Sequence, residues 1–297
     1  MNNLLRSSVA FALLICPVFL AHAQTARLAN LSTRATCQTG DSVLVTEFIL
    51  QGTGSGTELM RAIGPSLGSV GIPDFLRNPT ALLLDRRGHA VDRNDNWMDN
   101  PDKDAIIATG LAPNDPRESA LLETLAPGLY TLVVQGLHQG TGVALPEVYD
   151  LGDGSLQFSA LGVRGPVLTA DQVMISGFIL IGSKPASFLI RALGPSLADS
   201  GLMGVLPDPK LELHDSSGQL IVSNDNWRDT QEDEIIATGL APSDDLESAM
   251  LVRLNPGAYT LVFSGVANST GLGFLQIYSL EFPVRELNPA PIIRRSR

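Results

Sequence analysis

The stretch RAIGPSL at residues 61–67 decides the fold, because it recurs as RALGPSL at residues 191–197. NDNW at 94–97 recurs at 224–227, and IIATGLAP at 106–113 recurs at 235–242. The chain therefore contains two copies of one unit, joined by Gly-Asp-Gly at 152–154. Such a repeat sets the size of the folding unit and has to be recognised before any single element is assigned.

The residues that match between the copies are large aromatics rather than acid–base groups. Both tryptophans and all four tyrosines have a counterpart, whereas the histidines after residue 24 have none. Large aromatics anchor hydrophobic cores, and histidine is the usual acid–base or metal-binding side chain. The duplication therefore preserved the architecture of the unit and no histidine chemistry.

The segments between the motifs have the composition of β-strands. SVLVTEFIL at 42–50 and QVMISGFIL at 172–180 are rich in β-branched and aromatic residues. TALLLD and HAVDRND flank an Arg-Gly turn, which predicts a hairpin. About seven or eight strands per unit predict an all-β fold of two tandem antiparallel β-sandwich domains, jelly-roll-like, at residues 24–151 and 152–283.

The two ends of the chain are predicted to lie outside these domains. Arg6, an apolar run at 9–20 and the small-residue site Ala21-His22-Ala23 have the order of a cleavable signal peptide at residues 1–23. The mature protein is then expected to be secreted, periplasmic or at the cell surface. It is expected to have no membrane span, since no later apolar stretch is long enough to cross a bilayer. Residues 284–297 are predicted to be a flexible C-terminal tail.

The charge balance argues against nucleic acid as a partner. The chain has 20 Lys and Arg against 31 Asp and Glu, a net charge of −11. A phosphate-binding surface needs clustered basic residues and a basic isoelectric point.

The order Asp-x-x-Gly, Asn-Asp, Leu-x-Pro-Gly-x-Tyr-Thr-Leu-Val, Gly-Thr-Gly and a closing strand resembles the bacterial pre-peptidase C-terminal type of β-sandwich module. The chain is even more similar to uncharacterised repeats of secreted bacterial proteins that carry RALGPSL, NDNW, ATGLAP and a final VYDL. The resemblance covers nearly all of the mature chain, twice, and specifies a domain type rather than an activity. It implies an accessory role in surface, polymer or calcium binding, with the departure that no catalytic domain accompanies the modules.

A turn dense in Asp and Asn in each copy is the candidate metal site. Calcium takes six to eight oxygen ligands, which carboxylates, amides and main-chain carbonyls of such a turn supply. Signal cleavage leaves Cys37 as the single cysteine, and it is expected to be buried. Because one cysteine cannot form an internal disulfide, stability has to come from packing or bound ions. The alternative is that the Asp and Asn side chains only form Asx turns between strands. The candidate ligands are Asp85, Asn94, Asp95 and Asn96 in the first copy and Asp215, Asn224, Asp225 and Asn226 in the second.

An arginine ends an apolar strand in each copy, Arg61 and Arg191, and a glutamate stands in each ESA segment, Glu118 and Glu247. A guanidinium near a core is costly to bury unless it meets a carboxylate, so an Arg–Glu or Arg–Asp bridge inside each copy is predicted. Recognition of an anionic ligand, such as an acidic sugar, is the functional alternative.

Two further motifs are interpreted structurally. GPSLG at 64–68 matches the G-x-S-x-G nucleophile pattern, but its all-β surroundings and the loss of the last glycine in the second copy favour a plain turn. Trp97 and Trp227 are expected to pack in a core or at its edge, with stacking on a sugar ring as the alternative.

These features predict an exported, non-enzymatic binding or structural module that recognises extracellular polysaccharide or a cell-surface protein. The alternative is a secreted hydrolase, carbohydrate-active or esterase-like, with a carboxylate pair among Asp85, Asp95 and Glu118. Two carboxylates at the right separation cleave glycosidic bonds.

Overall fold

The structure is a computed structural model that describes residues 24–283 together with Glu286 and Leu287. The predicted signal peptide at 1–23 and most of the predicted tail lie outside the described residues. No helix in the described part is both long and apolar enough to cross a membrane.

The described chain is built from β-strands joined by turns and short 3₁₀ segments, with one short helix in each half. The first half contains β1 Arg27–Cys37, β2 Leu44–Gly52, β3 Gly56–Ile63, β4 Pro79–Asp85, β5 Ala90–Asn94, α1 Lys103–Ala108, β6 Ser119–Leu125, β7 Gly128–Gly136 and β8 Gly142–Asp150. The second half has the same order of elements: β9 Leu156–Val167, β10 Met174–Ile181, β11 Ala186–Leu193, β12 Pro209–Asp215, β13 Leu220–Asn224, α2 Glu232–Ala237, β14 Ser248–Leu254, β15 Gly257–Gly265 and β16 Gly271–Ser279.

The strands follow two antiparallel paths, and each path takes strands from both halves of the chain. One path has the order β6-β3-β8-β1-β10-β15-β12-β13. The other has the order β14-β11-β16-β9-β2-β7-β4-β5. A single pair, Leu28 with Phe158, links β1 to β9 and joins all sixteen strands into one sheet.

The prediction of an all-β, antiparallel fold is confirmed, but the two halves do not form separate sheets. β1 of the first half pairs with β10 of the second, and β9 of the second half pairs with β2 of the first. The two junctions are equivalent, since Leu31 faces Phe178 in one and Leu161 faces Phe48 in the other. An unpaired strand edge exposes a row of N–H and C=O groups, and this exchange satisfies them.

One hydrophobic core runs through both halves. It includes the fully buried Phe48 and Phe158, whose rings meet edge to face at 5.7 Å, and Phe178. The matched tyrosines are partly buried at the edge of this core. The ring of Tyr130 stacks on that of Phe48 with a centroid distance of 5.5 Å, and the ring of Tyr259 stacks on that of Phe178 at 5.4 Å. Cys37 is a buried free thiol in this core, as predicted.

Smaller clusters hold the NDNW and ATGLAP segments against β3, β6 and their counterparts. Trp97 packs with Ile106 of α1, Leu59 and Ala120. Trp227 belongs to the corresponding cluster in the second half and is only 1% exposed. The prediction of core or edge packing for the tryptophans is confirmed, so their rings are not available for stacking on a sugar.

Candidate functional site

Arg61 lies where the repeated motifs of the first copy meet. Its Nε donates to Glu147 at 2.8 Å, and its terminal nitrogens donate to the Leu111 carbonyl at 2.5 Å and the Tyr149 hydroxyl at 3.1 Å. These partners belong to the RAIGPSL, ATGLAP and closing-strand motifs. The three motifs therefore meet at one buried ion pair in the first copy.

The predicted Arg–Glu bridge forms inside the first copy between Arg61 and Glu147, and Glu118 is not its partner. Glu118 instead accepts hydrogen bonds from the Gly64 and Ser66 amides at 3.0 and 2.8 Å and from the Ser66 hydroxyl at 2.7 Å. A buried carboxylate is stabilised by several N–H and O–H donors much as it is by a cation. The serine of the G-x-S-x-G pattern is thus the anchor of a turn.

The second copy repeats the turn but changes the arginine site. Gly194 and Ser196 donate to Glu247 as their counterparts do to Glu118. Arg191, however, finds the neutral Gln276 where Arg61 finds Glu147, with Nε–Oε1 and Nη2–Oε1 distances of 2.9 and 2.6 Å. The predicted acidic partner is therefore not Glu247, and the carboxylate that reaches Arg191 is that of Glu286, at 3.2 Å.

The predicted calcium ligands of the first copy are not gathered at one point. Asp85 lies at the turn end of the β4–β5 hairpin, while Asn94 lies at the other end, opposite Ala81. Amide hydrogen bonds from His89, and from Arg87, lower the pKa of the Asp85 carboxyl, as expected in an Asx turn.

Asn94 is also occupied by the fold. Its Oδ1 accepts from the Ala120 amide at 3.1 Å, and its Nδ2 donates to the Asn96 carbonyl at 3.1 Å. The Asn96 side chain donates to Asp99 at 3.3 Å. Asp95 and Asp99 therefore remain as the candidate carboxylate ligands of this turn.

The second copy has the same arrangement. Asp215 accepts the amides of Ser217 and Gln219, and Asn224 bonds the Ala249 amide and the Asn226 carbonyl. Burial, together with the neighbouring Asp225 carboxylate, raises the pKa of Asp208. No group of three or more His, Cys, Asp or Glu side chains able to hold a metal ion occurs within residues 24–283 or at Glu286. Calcium binding stays a prediction, centred on Asp95 and Asp225.

Asp85, Asp95 and Glu118, the residues of the hydrolase alternative, do not converge on one cleft. Glu118 is fully buried, and both of its carboxylate oxygens accept hydrogen bonds from the fold. Asp85 is at the far end of the hairpin from Asp95.

A groove on the first half contains the Asn-Asp-Asn turn in its wall. It has a volume of about 580 Å³ and runs beside β5, which is the end strand of its path. A cavity of about 280 Å³ adjoins it and shares Thr80, Gln135 and Leu137. The side chains along the groove are Thr80, Leu82, Arg93, Asn94, Asp95, Asn96, Asp99, Gln135 and Leu137.

The two copies differ at the centre of this groove. Thr80 and Leu82 correspond to Lys210 and Glu212, which form an ion pair at 2.7 Å in the second copy. Gln135 corresponds to Ser264. The strand order is thus shared, whereas the groove side chains Thr80, Leu82 and Gln135 belong to the first copy alone.

Sequence reasoning found Asn94, Asp95 and Asn96 of the groove but missed Glu147 and the groove residues Thr80, Leu82 and Gln135, because it followed what the copies have in common. The signal was present in the differences: Glu147 against Gln276, and Thr80 and Leu82 against Lys210 and Glu212. Comparison of the chain with protein-family models and with curated proteins finds no match.

Proposed function

We propose that the protein is an exported, non-catalytic binding module, resembling the pre-peptidase C-terminal-like repeats, that holds a polysaccharide in the groove between β4, β5 and β7. The observation that carries this proposal is the groove of about 580 Å³, which has a size typical of ligand sites.

The groove has the chemistry that a carbohydrate chain needs. Amide, carboxylate and guanidinium groups of Gln135, Asn96, Asp95 and Arg93 offer donors and acceptors for sugar hydroxyls. Leu82 offers apolar area for the C–H face of a sugar ring. Because the residues stand on adjacent strands and their turns, the arrangement is positioned by a rigid scaffold.

Two parts of the proposal rest on sequence alone. Export to the periplasm, cell surface or medium rests on the signal-peptide pattern of residues 1–23. The second part is calcium binding at the Asp95 and Asp225 turns. Calcium held there by oxygen ligands would stabilise a β-sandwich that has no disulfides.

The test is a screen of the purified protein against neutral and acidic polysaccharides, followed by the double variant Thr80→Lys/Leu82→Glu. This variant installs the ion pair that the second copy already carries at the same strand positions, so it is expected to fold and to lose polysaccharide binding. Because Leu82 packs partly against the core, its melting temperature is expected to fall, and cooperative unfolding is the check that the variant is folded. Retained binding by the folded variant, or no polysaccharide binding by the unmodified protein, contradicts the proposal. Binding only to a cell-surface protein would also contradict it.

A further inference from the structure

The second half contains a separate cavity of about 240 Å³ beside Arg191. Its wall includes Arg191, Ser196, Ser243, Glu247, Glu286 and Leu287. The volume is below the range of drug-sized ligand sites, which suits a single sugar-sized group. It lies on the half that does not carry the polysaccharide groove.

The charge of Arg191 is compensated in an unusual way. The guanidinium is only 2% exposed, yet its buried neighbour Gln276 is neutral. Its sister Arg61 has the buried carboxylate of Glu147 in that position. The counter-charge of Arg191 comes from Glu286, whose side chain is 56% exposed. A half-exposed ion pair is weak and can be displaced.

A second group in the wall is incompletely hydrogen-bonded. Glu247 is fully buried, and all three of its donors reach Oε1, while Oε2 has no donor at full bonding distance among the residues that the structure describes. Burial raises the pKa of this carboxyl, and the Ser196, Gly194 and Asp244 groups near it partly offset that effect. The corresponding oxygen of Glu118 accepts from the Ser66 hydroxyl and the Asp115 amide. An unsatisfied buried acceptor is costly, so it marks a place for an incoming donor.

We propose that this cavity binds a uronic acid, a sugar that carries both a carboxylate and hydroxyl groups. The sugar carboxylate displaces Glu286 and takes its place on Arg191, and a sugar hydroxyl donates to Glu247 Oε2. The Ser196 hydroxyl, which already donates to Glu247, can accept a further hydrogen bond, and the Ser243 hydroxyl can donate or accept one. Asp199 also lines the cavity but lies exposed, where water and salt screen its repulsion of an anion.

The first half explains why the site exists only once. Glu147 already holds Arg61, and it also accepts from Ser32 at 2.8 Å and Tyr149 at 2.7 Å. An anion approaching Arg61 would meet that carboxylate. Gln276, which stands where the first copy has Glu147, therefore leaves the second arginine open to an external carboxylate.

The experiment is calorimetric titration of the purified protein with glucuronate and galacturonate, with glucose and galactose as neutral controls. We expect the uronates to bind at least tenfold more tightly than the neutral sugars. Gln276→Glu restores the counter-ion of the first copy and should weaken uronate binding at least tenfold while the protein stays folded. Glu286→Gln removes the competing carboxylate and should tighten binding about two- to fivefold.

Three results would overturn the proposal: no uronate binding, equal binding of the neutral sugars, or unchanged affinity in a folded Gln276→Glu variant. The groove variant Thr80→Lys/Leu82→Glu should bind uronate like the unmodified protein. Failure of the groove proposal and failure of this one are therefore distinguishable.

Discussion

Separation of the two halves is the most direct test of the exchanged strands. We expect residues 24–151 and residues 152–297, expressed as separate chains, each to fail to fold as a monomer. The first half alone would lose β9 from the edge of β2 and β10 from the edge of β1. Both edges would then be unpaired.

The cost follows from the side chains at these junctions. Leu28, Leu31, Phe48 and Leu50 of the first half are at most 1% exposed and pack with strands of the second half. Full exposure costs roughly 1.5–3 kcal/mol per side chain, together about 6–12 kcal/mol for the four. A whole domain is stable by about 5–15 kcal/mol, so the loss removes most or all of the stability.

Circular dichroism, light scattering after gel filtration and proton NMR dispersion measure the outcome. An isolated half should be unfolded, or should form a homodimer in which β1 of one chain pairs with β2 of the other. Co-expression of the two halves should give a one-to-one complex with the circular dichroism spectrum of the intact chain. A monomeric first half with cooperative unfolding would refute the reasoning, as would two halves that do not associate.

Three other perturbations test separate parts of the structure. Gly64→Ala is expected to lower the free energy of unfolding by about 1–3 kcal/mol in denaturant titration, because a Cβ at this position would collide with the Leu76 carbonyl oxygen. Gly177→Ala is the control, since a Cβ there has space. Equal effects of the two substitutions would contradict the close approach of Leu76 to Gly64. Burial, reinforced by the Asp150 carboxylate, raises the pKa of Glu58 from 4.5 to about 9. Between these pH values the folded state therefore holds one more proton than the unfolded state. The free energy of unfolding is then expected to fall as pH rises from about 4.5 to 9, by at most about 1.4 kcal/mol per pH unit. Denaturant titrations across that range should show a flatter slope for Glu58→Gln, and an unchanged slope would count against a buried protonated carboxyl. Chelator should lower the melting temperature, and added calcium should restore it, if calcium stabilises the Asp95 and Asp225 turns; an unchanged melting temperature together with no calorimetric binding would exclude that role.

Much of the candidate site depended on residues whose role changes between the copies. The sequence showed that Arg61 and Glu118 are charged residues in need of a buried partner, because each recurs beside an apolar strand. Their partners were not recognisable, since Glu147 is 86 residues from Arg61 and Gly64 of the GPS turn is 54 residues from Glu118. A salt-bridge prediction from composition cannot choose among several carboxylates until the strands are placed.

Local pattern and repetition were enough to determine the all-β class, two equivalent sets of about seven or eight strands, the aromatic anchors and the turn character of GPS and NDNW. These features depend on neighbours in the chain, where periodicity and turn chemistry act. Only the tertiary structure decided that β1 and β9 cross between halves, that Arg61 and Arg191 differ in their counter-ions, and that a groove opens beside β5. The physical reason is that edge pairing, charge compensation and cavity shape arise between segments far apart in the chain, such as the two arginines and their partners 86 and 85 residues away, and no short window of sequence contains both partners.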